Sequence, residues 1–533
     1  MQKKLFSTAF FLLVNIAIYS QVMFQKIYEK GSDLTTSYGA QQTSDGGYIM
    51  AGLHQVSATD FDYLVVKTGA NGDTLWTRTY GGIGDEESYG MQQTADGGYI
   101  FTGIDSSSGL GSYNVYLVKT NANGDTLWTK SYGGNNQDFA QAIQQTTDGG
   151  YIIAGYSNSF SAGGDDDVYL LKTDANGNLS WSKTYGGFYG DAAFAVKQTT
   201  DGGYILAGCT SSFGLSPYGN VNDFYVLKTN ATGTLTWSKT YGQYGDDWAF
   251  GVIQTKDGNY AITCHTNVDS TVAYSDLYLI KIDVNGDTLF TESVGGTNYE
   301  AGLAITESND SGLVIGGSTY SFGNGSSDVY LLKTNAKGKF LFNSTFGVPG
   351  NDFAYSISQT TDKGYLLTGY TSNVIVNNSS FSLTKTDSLG NSNNCNQTTP
   401  TPTIKIGVGA ITTPTTVVGT PATLTANNTH TKISYGVSVV DPCPPTTSIK
   451  QNEIKQVAFT VYPNPSNGNI TIKTTDLKEN TQITIYNQLG QIVLTKQINN
   501  ELTNLNLSIS AGVYQVRILN GNELIYQTKI IKE

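Results

Sequence analysis

The sequence predicts an all-β chain built from repeated four-stranded units, on three observations. Its 533 residues hold 61 glycines and 35 tyrosines against four methionines and 14% charged residues, which suits short strands and tight turns. Asp-Gly-Gly-Tyr or a close variant recurs with its Asp at 45, 96, 148, 201, 257, 310 and 362. The second period also carries a turn at Asn123-Gly124, and Asn-Gly between apolar runs is the strongest short hairpin signal.

The second copy gives the unit in full. Residues 89–94 alternate as a strand, Asp96-Gly97-Gly98 turns the chain, and 99–103 run back. A Ser/Gly-rich loop leads to a third strand over 115–120, and Asn123-Gly124 turns it into a fourth over 126–132. Repeats of this length bury their apolar faces only by stacking on one another, and a flat sheet of seven such units is implausible. A seven-bladed β-propeller of four-stranded blades is therefore expected over residues 22–395.

Columns of the repeat support this. Six residues before each Asp stand Gly39, Gly90, Ala142, Ala195, Gly251, Ala304 and Ser356, small enough for crowding near an axis. Three before it stand Gln42, Gln93, Gln145, Gln198, Gln254, Glu307 and Gln359, whose side chains can satisfy backbone groups between blades. Trp76, Trp128, Trp181, Trp237, Phe290 and Phe342 recur on the fourth strand, where flat rings fill the outer wedge between blades. A lysine column, Lys67, Lys119, Lys172, Lys228, Lys281, Lys333 and Lys385, reads as stems laid on apolar surface with heads in water rather than as an anion-binding ring.

The seventh repeat ends at Gly390 without a fourth strand, whereas residues 24–28 align with 76–80 and have no partner in their own unit. The N-terminal strand is expected to pair with the last repeat and close the ring, supplying Phe24 as the seventh aromatic.

The repeat resembles the tandem propeller repeats of large secreted and surface proteins. Residues 43–47 are also similar to the Asp-box of sialidases, which in that family is a turn outside the active site. Sialidases grip a carboxylate with three arginines, whereas Arg78 is the sole arginine of these repeats, so that activity is not expected. Residues 174–181 resemble the docking motif of quinoprotein propellers with one residue too few, and are read as a shared solution to blade packing.

Flanking segments give an address. Residues 1–21 join Lys3 and Lys4 to an apolar run and a small polar exit, the pattern of a signal peptide and too short for a span. Residues 396–452 are rich in Thr, Pro and Val and read as an extended linker or strap. In 453–533, the motifs Tyr462-Pro463-Asn464-Pro465, the strand and turn ending at Gly490, and Gly512 with Tyr514 resemble the type A sorting domain of type IX secretion cargo. The resemblance implies Sec export, recognition by the outer-membrane machinery, removal of the domain, and a secreted or cell-surface address. Its alternating strands suggest an immunoglobulin-like sandwich.

The net charge of −13 argues against nucleic acid or anionic lipid as partner, and no later segment is apolar enough to span a bilayer. His54, His265 and His430 lie in no catalytic motif, and no catalytic constellation or cofactor motif is visible. Asp165, Asp166 and Asp167, with Asp246-Asp247 and Asp85-Glu86-Glu87, are the candidates for calcium or for a paired acid and base, more simply read as solvated loop residues. Turns such as Asp283-Val284-Asn285-Gly286-Asp287 imitate a calcium loop but read as hairpin turns. Cys395 and Cys443 flank the strap and are expected to be disulfide-bonded, with Cys209 and Cys264 free.

Three function classes follow. The first is a monomeric binding or adhesion module for an extracellular glycan or protein, the second a carbohydrate-active enzyme using loop carboxylates, and the third a structural surface component. A ligand is expected on loops of varying length, bounded by Asp105 and Tyr113, Ser157 and Asp166, Thr210 and Asn222, and Thr266 and Ser275.

Overall fold

The computed structural model describes residues 21–31, 33–161, 163–214, 221–242, 245–266, 275–373, 378–392, 396–406, 410–412, 417–419, 424–427, 431–433, 437–440, 459–463, 466–474, 481–487, 492–520 and 523–532. The signal-peptide run, Cys395, Cys443, His430, Asn464, Pro465 and Gly490 lie outside them. The described residues are all-β, and none of them forms a helix long and apolar enough to cross a membrane. The chain divides into two compact units, Met1–Pro444 and Pro445–Glu533.

In the larger unit the described strands form seven antiparallel sheets, one per repeat. The second sheet runs outward from Glu86–Gln93 through Tyr99–Asp105 and Asn114–Thr120 to Thr126–Gly133, at the positions expected. Both hairpin turns of a repeat thus fall on one face, here the turn face, and the loop between second and third strands falls on the other, the loop face. The innermost strands, Thr35–Gln42, Glu86–Gln93, Asp138–Gln145, Asp191–Gln198, Trp248–Gln254, Glu300–Glu307 and Asn351–Gln359, touch in sequence, and the seventh touches the first. The repeats are therefore propeller-like.

Each innermost strand carries a β-bulge beside its small residue, as between Ser37 and Gly39 or Ser88 and Gly90. A Cβ on Gly90 would come within 3.3 Å of Ala142 Cα in the next sheet, so the small column lets adjacent inner strands approach.

The N-terminal strand Phe24–Glu29 pairs antiparallel with Asn378–Lys385, Phe24 opposite Lys385 and Tyr28 opposite Phe381. Phe24 packs edge-on against Tyr48 at 5.7 Å, as Trp76 packs on Tyr99, Trp128 on Tyr151, Trp181 on Tyr204 and Trp237 on Tyr260. Each outer aromatic also covers a turn glycine of the next repeat. Gly124, at φ +75°, would place a Cβ 3.0 Å from the Trp76 ring, so backbone conformation and space both select glycine there. Beneath it, Tyr80 Oη donates to Gly124 O at 2.7 Å, and Tyr28, Tyr132, Tyr185 and Tyr241 repeat the bond.

Each four-stranded repeat of the larger unit gains a fifth, outermost strand, and it comes from the strap. Gln397–Thr398 adds to the sixth sheet, Thr403–Ile406 to the fifth, Ala410–Thr412 to the fourth, Val417–Gly419 to the third, Leu424–Asn427 to the second and Thr431–Ile433 to the first. Ser438–Val440 then pairs with the N-terminal strand in the seventh. The strap thus retraces the repeats in reverse order, one short antiparallel strand at a time. Its β-branched residues suit strands, and its prolines fall between the paired segments, since proline cannot donate to a ladder.

The smaller unit holds a three-stranded sheet of Phe459–Tyr462, Asn469–Thr474 and Leu502–Asn506, and a four-stranded sheet of Thr481–Tyr486, Ile492–Gln497, Gly512–Asn520 and Glu523–Lys532. Both contribute to one core that includes Phe459, Ile472, Ile485, Leu505, Val516 and Ile518.

Candidate functional site

The turn face is built from one device used seven times. In the second repeat Asp96 Oδ1 accepts from Thr94 Oγ1 at 2.6 Å and from Gly98 N at 2.9 Å, and Lys119 Nζ reaches Asp96 Oδ2 and Thr120 O, each at 2.9 Å. Lys67, Lys172, Lys228, Lys281, Lys333 and Lys385 pair in the same way with Asp45, Asp148, Asp201, Asp257, Asp310 and Asp362. The expectation that these ammonium groups stand in water is therefore wrong. They are buried because the third strand directs each stem under the turn, where a carboxylate and a carbonyl replace water. In six of the seven repeats a glycine two residues after the Asp makes room for them, Asn259 standing there in the fifth; a Cβ on Gly98 would lie 2.8 Å from Lys119 Nζ and 2.1 Å from Thr120 O.

Burial pushes the Asp96 carboxyl up, but the bonds from Thr94, Lys119 and Gly98 outweigh it and hold it at about 2. Replacing Asp96 by Ala leaves the Lys119 ammonium buried without its counter-charge. We expect a loss of about 2 kcal/mol in urea unfolding, below the roughly 3–5 kcal/mol of a fully buried pair because Asp96 is more than half exposed. Lys119→Met, which leaves no buried charge, should cost less; the reverse order would contradict the latch.

The glutamine column links neighbouring repeats. Ser44 N donates to Gln93 Oε1, Ala95 N to Gln145, Thr147 N to Gln198, Thr200 N to Gln254, Lys256 N to Glu307, Asn309 N to Gln359 and Thr361 N to Gln42, all at 2.8–2.9 Å. The last bond joins the seventh repeat to the first. Glu307, the exception in sequence, accepts as the amides do.

The loop face is different in character. Six of the seven inner strands begin at or beside a buried carboxylic acid: Glu86, Asp138, Asp191, Asp247, Glu300 and Asp352. Most accept a backbone N–H from the preceding connection, Gly82 to Glu86 at 2.6 Å, Gly134 to Asp138 at 2.7 Å and Val348 to Asp352 at 3.0 Å. Burial raises Glu86 to about 8, Asp191 to about 6 and Asp352 to about 7. These groups bind their proton more tightly folded than unfolded, so stability must fall as pH rises through that range. The turn aspartates, held low, lose their contribution only as pH falls from about 4 towards 2. His265, which burial lowers to about 4, also destabilises the fold below its ordinary value. Melting temperature should therefore fall from about pH 6 to pH 8 and again below about pH 4; a flat profile from 6 to 8 would contradict the buried acids.

Along the inner strands and the connections that lead into them, aromatic rings form a continuous belt. Tyr38 meets Tyr89 at 5.0 Å and Tyr355 at 4.9 Å, and Phe353 stacks on Tyr370 at 5.1 Å. The chain of contacts continues through Tyr320, Tyr299 and His265 to Phe250, Phe194 and Trp248. It crosses six repeats, and its rings are half-buried except Tyr320, which is exposed. The connections carry further exposed apolar side chains, Ile83, Phe188 and Tyr189.

The expected loop residues are split by role. Asp105 is buried and caps its own loop, accepting from Ser107 N at 2.7 Å and Ser131 Oγ at 2.5 Å. Ser157 Oγ donates to Asp138, and Thr210 and Thr266 are buried strand ends. Tyr113 packs on Phe139 and donates to Asp85 at 3.1 Å, while Asn222 donates to Asp246 and Ser275 O accepts from Glu300 N. Asp165 is exposed, Asp166 half-buried and Asp167 buried, and no group of three or more metal-ligating side chains occurs among the described residues. Asp283 Oδ1 accepts from Asn285 N and Asp287 N, as a hairpin turn does. Cys209 and Cys264 are buried free thiols.

In the smaller unit Tyr462 and Pro463 are exposed, and Tyr514 is buried with its hydroxyl donating to Ser510 O at 2.8 Å. Residues 460–533 match a family described as the secretion system C-terminal sorting domain. This segment is a sorting domain. It implies handling by that secretion system and export to the cell surface or beyond.

No curated protein matches the chain. Among solved structures it is similar to PorZ, a bacterial surface component of the type-IX secretion system of Porphyromonas gingivalis, at 11% identity and a TM-score of 0.39, covering 93% of this chain and 59% of that one. It is also similar to the extracellular domain of a protein assigned to a hybrid two-component system of B. thetaiotaomicron, at 11% identity and a TM-score of 0.40, covering 96% and 60%. The chain spans about three fifths of the length of each.

Proposed function

We propose that this chain is a secreted or surface-displayed seven-bladed β-propeller, exported through Sec and the type IX machinery, that binds an extracellular glycan or protein on its loop face. The sorting sandwich, read as immunoglobulin-like, serves export, and the propeller carries the function. The observation that supports binding is the aromatic belt. Half-exposed rings arranged edge to edge offer flat faces to a sugar ring or an apolar side chain, and each buried contact of this kind contributes about 0.5–1.5 kcal/mol beyond its area. The belt reaches the loop face at Tyr299 and Tyr320, which favours recognition there over the turn face.

The buried acids argue for binding rather than hydrolysis. Glu86, Asp138 and Asp352 are occupied in holding connections and do not stand in the open as a paired acid and base would. The test is a glycan and protein array probed with the chain lacking its sorting domain, followed by Trp248→Ala and Phe353→Ala. Loss of the captured ligand in both variants, with melting curves kept, is the expected result. Retained binding in both, or hydrolysis of a bound glycan, would overturn the assignment.

A further inference from the structure

We propose that the ring of inner strands carries a site for a small oxyanion, formed by the Lys197 ammonium and the side-chain amides of Gln41, Gln92 and Gln144. Its position is independent of the loop-face ligand, since it lies at the turn end of the inner strands.

One inner-strand column, the residue just before the linking glutamines, reads Gln41, Gln92, Gln144, Lys197, Ile253, Thr306 and Ser358. Each stands opposite the same position of its second strand, Gln41 opposite Ile49, Gln92 opposite Ile100, Gln144 opposite Ile152 and Lys197 opposite Ile205, so the column forms one level of the ring. The three glutamines reach to the following inner strand. Gln41 Oε1 accepts from Gln93 N at 2.9 Å, Gln92 Oε1 from Gln145 N at 2.6 Å and Gln144 Oε1 from Gln198 N at 2.7 Å. Those bonds fix which end of each amide is occupied, leaving the Nε2 groups, two N–H donors apiece, without an acceptor among the described residues.

Lys197 follows them in the next sheet. The seven lysines of the third-strand column each meet a carboxylate, whereas no ion pair to Lys197 occurs among the described residues. Nothing acidic shares its level, the remaining members being Ile253, Thr306 and Ser358. Burial holds its amine below the ordinary lysine value, as expected for an ammonium removed from water without a counter-charge. Three amides and an ammonium at one level are rich in donors and short of acceptors. A carboxylate, phosphate or sulfate supplies the missing negative oxygens, and charge-assisted bonds of this kind are the strong ones.

The experiment is isothermal titration of the full chain with acetate, phosphate and sulfate at matched ionic strength in chloride; the three arms distinguish the source of the oxyanion. Wild type should bind at least one of them saturably. Lys197→Met should weaken that binding by at least about tenfold, and Lys197→Gln should give an intermediate value. Lys337→Met, at an exposed turn lysine, should leave it unchanged. Without anion, Lys197→Met should melt no lower than wild type, because a half-buried lone charge is replaced by a side chain of similar length. Absence of saturable binding to all three anions, or equal binding in Lys197→Met and wild type, would overturn the site.

Discussion

A chain lacking residues 22–30 is expected to lose at least about 5 kcal/mol of stability and to expose its seventh repeat to protease. Phe24 and Tyr28 are buried, and two aromatic side chains contribute roughly 2–3 kcal/mol each on burial. Their strand also stands between Asn378–Lys385 on one side and Ser438–Val440 on the other, so its removal opens two ladders together. The Gln42 bond to Thr361 would remain, so the ring should loosen at the seam rather than unfold throughout. Urea unfolding together with limited proteolysis mapped by mass spectrometry checks this. A truncated chain that unfolds like the parent would show that the N-terminal strand is dispensable.

Replacing the strap with a soluble Gly/Ser linker of equal length should have the second large effect. Seven outer strands would then present unpaired backbone edges, the arrangement that invites pairing between chains. Self-association on size-exclusion chromatography with light scattering is the expected outcome. Amide exchange should accelerate at residues now facing the strap, among them Thr79–Gly81 opposite 431–433 and Lys130–Gly133 opposite 424–427. A monomer with unchanged exchange would mean the strap pairs too weakly to matter.

Much of this architecture was legible because seven copies of one unit average out local ambiguity. The Asp-Gly-Gly and Asn-Gly turns fix both hairpins, and the unmatched segment at residues 24–28 marks the closing strand. What the columns could not give was pairing between them. The aspartates and lysines are the two most regular charged positions, yet their contact depends on the third strand passing under the turn, which no spacing along the chain states. The strap's strands were hidden for another reason. They are two to four residues long, too short for alternation to register, and acquire their conformation from the edges they cover. The belt leaves no column in the sequence because its rings occupy different positions in different repeats, Tyr38 and Phe250 at the bulge but Trp248 and Phe353 two residues earlier. Lys197 carries no such signal in sequence, because a column of three glutamines and one lysine reads as an ordinary polar strand until the inner strands share a level.

Ring closure itself is tested most directly by cross-linking. Gln25 and Thr384 stand directly opposite one another on the two strands that join the ends of the repeat array. With Gln25→Cys and Thr384→Cys introduced together, mild oxidation should give an intramolecular disulfide in the monomer, identified by peptide mapping, and raise the unfolding midpoint. Thiols at 25 and 384 that stay free, or that bridge only between chains, would contradict a ring closed by its own N-terminal strand.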